Sequence, residues 1–417
     1  MRAPVRCGRW LASALVLVAL VSCTSPTVPR HAVALWMYPI FPDAGVSRAF
    51  WADVERRFED AHPDVDLRIE LLPWENNNVK VATAFAAGRP PDLVLFRPEQ
   101  VADYAARGLL QPVDDVLGPV AGELSKSTLD ASSHGGRAYL VPLYQLAMTM
   151  ACNRRVLTSA GFEHPPSTWA EVRVLADRLA DRGMYALDYP AGLQVSLNLT
   201  FYPLLWQAGG SVYTSDGTRS AVNSPEGVRA LEFLVDLYRR GAIAQSAVTQ
   251  PHDPARGPMG RGQAACSPLT TLAELRQLKR VLGADVVAPA PPLADAERVG
   301  FGYPSGLVLT ARSGSPDDAR KFLRFMLRAD VLSELCAKSG FLPTRPSAAC
   351  ARDDPDAQAF AAQLDVLFPG EPRASAPQVA GLVAPHVQAA LLGDESPSEA
   401  LDAAAREVDA LLERGGP

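Results

Sequence analysis

The first part of the chain alternates strand-like and helix-like segments, and this order restricts the possible folds more than any other feature. The apolar run 32–38 predicts a buried strand, and residues 65–71 alternate between apolar and charged side chains, as in a half-buried strand. A third apolar run, 92–96, predicts another strand, and helical patterns fill the intervals. Strands that alternate with helices are typical of an α/β fold with a largely parallel sheet.

The later part of the chain contains clear helix starts. Thr168 and Glu171 have the spacing of a capping box. Ser224 and Ser315 are each followed by a proline and an acid; serine can cap a helix, proline fits its first turn, and the acid suits its positive end. The 417 residues also exceed the roughly 250–300 that one hydrophobic core supports. We therefore expect two or more α/β lobes.

The amino-terminal segment 1–22 has the outline of a secretory signal peptide. It carries Arg2, Arg6 and Arg9, followed by the apolar block Leu11–Val21. That block has about eleven residues, whereas a membrane-spanning helix needs roughly 20. We therefore expect export of the chain and exclude this segment from the fold.

Cys23 follows the apolar block, and Leu20-Val21-Ser22-Cys23 resembles the lipobox of bacterial lipoproteins, in which the cysteine receives a diacylglyceryl group. Residues 24–30 contain two prolines and no apolar pattern, so segment 23–30 predicts a lipidated cysteine and a linker. The expectation is a protein anchored to the outer face of the bacterial cytoplasmic membrane. The alternative is an ordinary signal peptide that contains a cysteine.

Composition excludes one class of partner. The net charge is −6 with acidic and basic residues mixed along the chain, whereas a nucleic-acid-binding protein needs a basic face. Hydrophobic residues make up 48% of the chain, as in ordinary globular proteins, and no second apolar stretch is long enough to span a bilayer.

Four cysteines remain beyond the signal segment and the lipidation site: Cys152, Cys266, Cys336 and Cys350. In an oxidising compartment they allow three sets of disulfides. Cys336 and Cys350 are the easiest pair by separation, which leaves Cys152 with Cys266. Buried free thiols are the alternative. No Cys-x-x-Cys or Cys/His spacing indicates a metal site.

Catalytic motifs are missing from the sequence. The six histidines are scattered singly, and the serine in the segment 302–306 stands one place too late for a nucleophile elbow. No glycine-rich phosphate loop follows a strand and opens a helix. We therefore assign no catalytic residue, no metal and no cofactor, and we favour a binding protein over an enzyme.

A series of short motifs runs through the chain in a characteristic order. They are Ala87-Gly88-Arg89-Pro90-Pro91-Asp92, Gly108-Leu109-Leu110, Tyr139-Leu140-Val141-Pro142, Asn153 with Ala160-Gly161, Pro165-Pro166-Ser167-Thr168-Trp169, Gly209-Gly210, Gly262-Gln263-Ala264-Ala265 and Gly340-Phe341-Leu342-Pro343-Thr344-Arg345. Each is weak alone, but in this order they resemble the family 1 extracellular solute-binding proteins of bacterial ABC importers. That group contains maltose-, trehalose- and glycerophosphodiester-binding proteins.

The resemblance implies a periplasmic-binding-protein-like fold of type II, in which crossover strands form a hinge and the ligand binds in a cleft between two α/β lobes. By the family layout, the N-terminal lobe takes residues 31–145 plus 300–342, and the C-terminal lobe takes 146–299 plus 343–417. The resemblance also implies a monomer that closes around a small molecule and delivers it to the permease subunits of an ABC transporter.

Two departures from the family pattern concern cysteines. Cys152 stands where the family has tyrosine, and Cys266 stands where it usually has methionine. Both belong to the same lobe by the family layout. The resemblance therefore strengthens the hypothesis of a Cys152–Cys266 disulfide.

Aromatic and fork-like polar side chains near strand ends are candidates for binding a sugar, which has apolar faces and a rim of hydroxyls. The candidates are Trp36, Tyr38, Trp74, Glu75, Asn76, Arg97, Glu99, Tyr144, Gln145, Trp206, Tyr303, Ser305 and Arg345. Core packing is the alternative for Trp36 and Trp74, and a surface salt bridge is the alternative for Arg345.

The expected function is that of a lipid-anchored binding component of an ABC importer that captures a mono- or oligosaccharide. A sugar phosphate or glycerophosphodiester is the alternative ligand, and convergence of Arg97 and Arg345 on one site would favour it. An exported α/β hydrolase and a lipoprotein that scaffolds a surface complex are further alternatives.

Overall fold

The structure is a computed structural model that describes residues 30–41, 43–73, 77–193, 195–249, 253–348, 353–373 and 375–415. The signal segment and the lipidation site at Cys23 lie outside these residues. So do the candidates Trp74, Glu75 and Asn76, and so does Cys350.

The described strands are short, except for two long ones. They are β1 (His31–Met37), β2 (Val65–Leu71), β3 (Leu93–Phe96), β4 (Leu110–Gln111), β5 (Ser133–His134), β6 (Arg137–Ala138), β7 (Leu140–Asn153), β8 (Tyr185–Leu187), β9 (Ala264–Thr271), β10 (Val287–Ala290), β11 (Gly300–Thr310), β12 (Leu342–Pro343) and β13 (Leu367–Phe368).

Helices cover the strands and fill most of the remaining chain. They are α1 (Ala44–Ala61), α2 (Asn77–Ala86), α3 (Pro98–Ala106), α4 (Asp114–Leu117), α5 (Lys126–Ala131), α6 (Arg154–Ser159), α7 (Trp169–Ala180), α8 (Phe201–Gln207), α9 (Pro225–Arg239), α10 (Leu272–Leu282), α11 (Pro316–Met326), α12 (Ala329–Ser339), α13 (Pro355–Ala361), α14 (Ala376–Leu392) and α15 (Pro397–Gly415). Across the described ranges, none of these helices combines the length and the apolar character that crossing a bilayer requires.

One mixed sheet organises the described residues, with the strand order β2-β1-β3-β11-β7-β9-β8. β1 lies parallel to both β2 and β3, whereas β11 runs antiparallel to both β3 and β7. The sequence predicts a largely parallel sheet, and the difference comes from these two long central strands. Antiparallel neighbours need no crossover helix between them, so the helix-strand alternation does not reveal them.

Two large hydrophobic cores lie at the two ends of this sheet. The first packs β1, β2 and β3 against α1, α11 and α12, with Phe50, Phe58 and Phe322 fully buried. The second packs β8 and β9 against α7, α9, α14 and α15, and there the rings of Trp169 and Phe233 stack with centroids 4.3 Å apart.

The long strands β7 and β11 pass from one core to the other. β7 contributes Leu140 and Tyr144 to the first core and Met148 to the second, while β11 contributes Leu307 to the first and Phe301 to the second. We call the stretch between the cores, residues 144–147 and 302–306, the connecting ribbon. The short strand β12 pairs with β7 within this stretch, at Tyr144 and Gln145. A few strands that pass between two cores can serve as a hinge. The lobe boundaries expected from the family layout stay a prediction.

The structure contains the Cys152–Cys266 disulfide that the family resemblance suggested. These cysteines face each other across the antiparallel strands β7 and β9, inside the second core. Cys336 also takes part in a disulfide. Because Cys350 lies outside the described residues, the Cys336–Cys350 pairing stays a prediction.

Two of the three helix starts named in the sequence analysis have the expected capping hydrogen bonds. Thr168 and Glu171 form the reciprocal capping box of α7, and the Ser224 hydroxyl accepts a hydrogen bond from the backbone of Gly227. Ser315 precedes α11 as expected, but its side chain makes no cap hydrogen bond. Proline and two acids in that turn remain to favour the helix start.

Candidate functional site

The carboxyl ends of two parallel strands meet the connecting ribbon on one face of the sheet. Tyr38 follows β1 there, and Arg97 follows β3. A pocket of about 250 Å³ lies at this point, which we call the polar pocket. Its lining residues are Tyr38, Leu95, Phe96, Arg97, Gln100, Tyr144, Leu146, Tyr303, Ser305 and Phe341. The structure thus brings together Tyr38, Arg97, Tyr144, Tyr303 and Ser305 from the candidates identified in the sequence.

Arg97 supplies the positive charge of the polar pocket, and the start of α3 fixes its position. Its backbone N–H donates to Gln100 Oε1 at 3.1 Å, and its Nε lies 2.9 Å from Glu99 Oε1. The guanidinium also hydrogen-bonds the Tyr303 hydroxyl. Glu99 therefore acts on the pocket through Arg97, whose charge it balances. Because the guanidinium has five N–H donors, some remain available to a ligand.

The tyrosines of the polar pocket are neutral at physiological pH. Burial raises the pKa of Tyr38 to about 12, and burial also raises the pKa of Tyr144 and Tyr303 above the ordinary tyrosine value. The Tyr144 hydroxyl hydrogen-bonds the Ser305 side chain, and its ring stacks on Phe341 with centroids 4.4 Å apart. Neutral hydroxyls both donate and accept hydrogen bonds, which suits a ligand that itself carries hydroxyls.

A second pocket, of about 290 Å³, adjoins the polar pocket, because Leu146 and Phe341 line both. We call it the apolar pocket. Its lining residues are Pro39, Ile40, Phe41, Gln145, Leu146, Ala147, Thr271, Leu272, Ala273, Ser339, Gly340, Phe341, Leu342 and Phe360. The segment 39–41 follows β1 and the segment 271–273 starts α10, so elements from both ends of the sheet enclose this pocket.

A third and larger pocket, of about 660 Å³, lies on the opposite face of the connecting ribbon. Successive residues of a strand point to opposite faces, and Gly302 and Pro304 line this pocket whereas Tyr303 and Ser305 line the polar one. We call it the rear pocket. Ligands of α/β sheets bind at the carboxyl ends of parallel strands, which lie at the polar pocket. We therefore take the polar and apolar pockets together as the candidate site.

Two tryptophans expected at the site line none of these three pockets. Lys80 covers Trp36, with its Nζ 4.5 Å from the ring centroid. Trp206 is 4% exposed, donates from Nε1 to Glu371 Oε1 at 3.2 Å and packs against Phe368. The glycines after Trp206 have a structural reason, since Gly209 has φ 85° where α8 ends.

The candidates Arg345 and Gln145 also do not line the polar pocket. Arg345 Nε donates to Glu123 Oε2 at 3.2 Å, and the guanidinium also donates to the Leu327 carbonyl. Because Glu123 lines the rear pocket, Arg345 and Arg97 do not converge on one pocket. Gln145 points away from the polar pocket and lines the rear and apolar pockets.

Sequence reasoning missed Gln100 and Phe341. Gln100 stands three residues after Arg97 in a helix, and this spacing, which places side chains on one helix face, could have identified it. Phe341 reaches Tyr144 because β12 pairs with β7, a contact between distant parts of the chain that no local pattern indicates. Within the described ranges, no group of three or more His, Cys, Asp or Glu side chains is arranged to hold a metal ion.

Comparison with known proteins identifies relatives over most of the chain. A binding protein of Brucella abortus, described without a ligand, is 23% identical over 97% of this chain and 98% of its own length. The diacetylchitobiose binding protein DasA of Streptomyces coelicolor is 23% identical over 70% of this chain and 69% of its own length. The structure of the sugar-binding protein MalE from Xanthomonas citri superposes with a TM-score of 0.80 at 20% identity, covering 92% of this chain and 98% of that one.

This superposition confirms the type II periplasmic-binding-protein-like fold expected from the motif order. The sequence model of the family described as bacterial extracellular solute-binding protein matches residues 43–332, which is more than half of the chain. It spans most of the first core apart from β1, the whole connecting ribbon, and the part of the second core that precedes α14. The chain therefore belongs to the bacterial extracellular solute-binding protein family.

Proposed function

We propose that this protein captures a carbohydrate in the polar and apolar pockets, closes around it through the connecting ribbon, and delivers it to the permease subunits of an ABC importer. One observation carries the choice of ligand. The end of β1, the end of β3 and the ribbon converge on one pocket with neutral tyrosine hydroxyls, a serine, a glutamine and a single balanced arginine. The sugar specificities named for DasA and MalE support the same choice.

The chemistry of the polar pocket matches a neutral hydroxylated ligand. A sugar ring offers several hydroxyls, each of which must find a partner when it leaves water. Arg97 and Gln100 provide N–H donors, and the Tyr303 and Ser305 hydroxyls donate or accept. The rings of Tyr144 and Phe341 provide flat apolar surface for the C–H face of a sugar.

A phosphate-bearing ligand receives less support. A phosphodiester favours more than one planar cationic donor, and the second candidate, Arg345, is held by Glu123 on the side of the rear pocket. The only arginine that lines the polar pocket among the described residues, Arg97, is already paired with Glu99. A neutral sugar needs no further charge.

Four further parts belong to this proposal. The chain acts as a monomer that releases its ligand unchanged, and the segment after the signal peptide holds it to the outer face of the membrane through Cys23. The sequence around Cys23 supports the anchor, and the extracellular family supports the export. We also expect Cys336 and Cys350 to form a second disulfide.

A thermal-shift screen against mono-, di- and trisaccharides and glycerophosphodiesters tests the proposed ligand class. A true ligand at about 100 times its dissociation constant should raise the free energy of unfolding by about 2.7 kcal/mol. Tyr303→Phe, which removes a hydroxyl from the polar pocket, should weaken binding of that ligand about three- to tenfold in calorimetric titration.

Tyr238→Phe is the matched control. Its hydroxyl also makes one hydrogen bond, to the Gln245 carbonyl at 3.1 Å, but it lies on α9 and lines none of the three pockets. This variant should bind as tightly as the wild-type chain. Stabilisation by glycerophosphodiesters alone, or the absence of stabilisation by any saccharide, whether free or as a simple glycoside, would overturn the carbohydrate assignment.

A further inference from the structure

The apolar pocket differs chemically from the polar pocket that it adjoins. Among its lining residues there is no Asp, Glu, Lys, Arg or His. Ile40, Phe41, Leu272 and Phe360 make up much of its wall, and each is at most 5% exposed. A binding protein for unsubstituted oligosaccharides needs polar partners along the whole ligand, and this half of the site does not offer them.

Three lining residues of the apolar pocket carry side-chain polar atoms, and two of these are already engaged. The Thr271 hydroxyl donates to Glu274 Oε2 at 2.8 Å in the capping box of α10. The Ser339 hydroxyl accepts from the backbone N–H of Phe341 at 3.2 Å. Gln145 Oε1 is buried without a hydrogen-bond partner among the described residues. The Gln145 amide and the Ser339 O–H are then the side-chain groups left for a ligand. They are too few for the hydroxyls of a second sugar ring, and each unsatisfied hydroxyl would weaken binding.

The two pockets are parts of one continuous site. Leu146 and Phe341 line both, and the Phe341 ring, stacked on Tyr144, stands at the boundary between them. Each pocket is somewhat smaller than the roughly 300 Å³ at the lower end of ordinary ligand sites. A ligand that fills the site therefore has one part in each pocket, and these parts must differ in polarity.

We infer that the ligand is a glycoside whose single sugar unit occupies the polar pocket and whose apolar aglycone, an alkyl or aryl group, occupies the apolar pocket. This inference rests on the proposed function, since it assigns the sugar to the polar pocket. The aglycone contacts segment 39–41 on one side and segment 271–273 on the other, so it also joins the two ends of the sheet in the closed protein.

Calorimetric titration of the whole chain with paired glycosides tests this inference. The probes are the methyl and butyl glycosides, α and β, of glucose, galactose, mannose and N-acetylglucosamine, with the disaccharides cellobiose, maltose and chitobiose. Each buried methylene strengthens binding about fourfold. Allowing for incomplete burial of three extra methylenes, the butyl glycoside of the preferred sugar should bind at least tenfold more tightly than its methyl glycoside, and more tightly than any of the disaccharides.

Ala273→Asp provides the variant, because it adds a charge at the mouth of the apolar pocket without opposing the fold. Ala273 is exposed and is the second residue of α10, where an acid suits the helix end. Ala170→Asp is the matched control, since Ala170 is exposed and is the second residue of α7, which also starts with a capping box. The butyl-to-methyl affinity ratio should fall below threefold in Ala273→Asp and keep its wild-type value in Ala170→Asp.

The outcomes separate this inference from the proposed function. If the methyl and butyl glycosides bind equally, or if a disaccharide binds more tightly than the butyl glycoside, the aglycone is wrong while carbohydrate binding stands. If no glycoside and no saccharide binds, both fall. If the butyl-to-methyl affinity ratio exceeds tenfold in the wild-type chain and is the same in Ala273→Asp, the aglycone does not occupy the apolar pocket. Melting temperatures of the two variants establish that both are folded.

Discussion

Buried tyrosines determine the charge that a ligand meets at the polar pocket. Tyr38, Tyr144 and Tyr303 all have a raised pKa because their hydroxyls are removed from water. The neighbouring Arg97 is balanced by Glu99 rather than by a tyrosinate. The pocket therefore presents neutral hydroxyls over the whole physiological pH range, and we expect ligand affinity to be constant from pH 6 to pH 9.

The raised pKa of Tyr38 also predicts how stability changes in alkali. Its folded-state pKa of about 12 exceeds the ordinary value of 10.0, so the stability it contributes is complete below pH 10 and is lost as the pH rises through 12. The free energy of unfolding of the wild-type chain, relative to Tyr38→Phe, should fall by about 2 kcal/mol between pH 9 and pH 11.5. Urea denaturation at both values measures this. Parallel pH dependence of the two proteins would show that the Tyr38 hydroxyl is not in the buried environment described here.

The residues of the site differ in how well the sequence identifies them. Tyr38 and Arg97 could be predicted because each follows a strand with a clear apolar pattern, and strand ends are where such sheets bind ligands. Trp206 and Arg345 are also an aromatic residue and a planar cation near conspicuous motifs, but Glu371 and Glu123 engage them. Which partner a side chain meets depends on contacts between distant segments. Residue type and motif position carry no information about those contacts.

At the scale of elements, the disulfide between β7 and β9 fixes the second core beside the connecting ribbon. Cys152 lies in the same strand as the ribbon residues 144–147, and Cys266 lies in the strand that leads to Thr271 at the apolar pocket. The two cysteines are 114 positions apart in the sequence, and the chain between them includes α7, α8 and α9. The bond therefore restricts a large part of the unfolded chain and leaves the ribbon itself free to bend.

Removal of this disulfide should lower the stability of the protein but change its ligand affinity only slightly. The double substitution Cys152→Ala with Cys266→Ala should decrease the free energy of unfolding by about 2–4 kcal/mol, because the unfolded chain gains conformational freedom. Ligand affinity should change less than threefold, since neither cysteine lines the polar, apolar or rear pocket. Urea denaturation and calorimetric titration measure the two effects. A loss of affinity without a loss of stability would mean that the disulfide positions the site.

The elements themselves follow from local patterns to a large extent. The strand at 65–71 and the helices that start after Thr168 and Ser224 appear where alternation and capping signals predict them. The antiparallel pairing of β11 with β3 and β7 could not be predicted in this way. Pairing joins segments more than 150 residues apart, and an apolar strand carries no mark of its partner. The family resemblance predicted strands that cross between the lobes, but their antiparallel pairing came from the structure alone.

At the scale of the whole molecule, the arrangement of cores and pockets favours closure around the ligand. The polar pocket lies on one face of the ribbon and the rear pocket on the other, while the apolar pocket shares lining residues with both. Bending at the ribbon that narrows the polar pocket must widen the rear pocket. A ligand that changes a 1:99 mixture of closed and open forms into 99:1 needs about 10⁴-fold preference for the closed form. Contacts to segments 39–41 and 271–273 at the same time can supply that preference.

Distance measurements across the ribbon test this closure. Spin labels at Val46 of α1 and Val281 of α10, both exposed, report the separation between the two sides of the apolar pocket. Ligand should shorten and narrow the distribution of distances between them in pulsed electron paramagnetic resonance. Labels at Val46 and Val79 both lie beside the first core and should show no change. Closure is what distinguishes a hinge from a rigid connection. An unchanged Val46–Val281 distribution at saturating ligand would therefore mean that the two cores already hold their final positions. The ligand would then have to enter a preformed site without the ribbon bending.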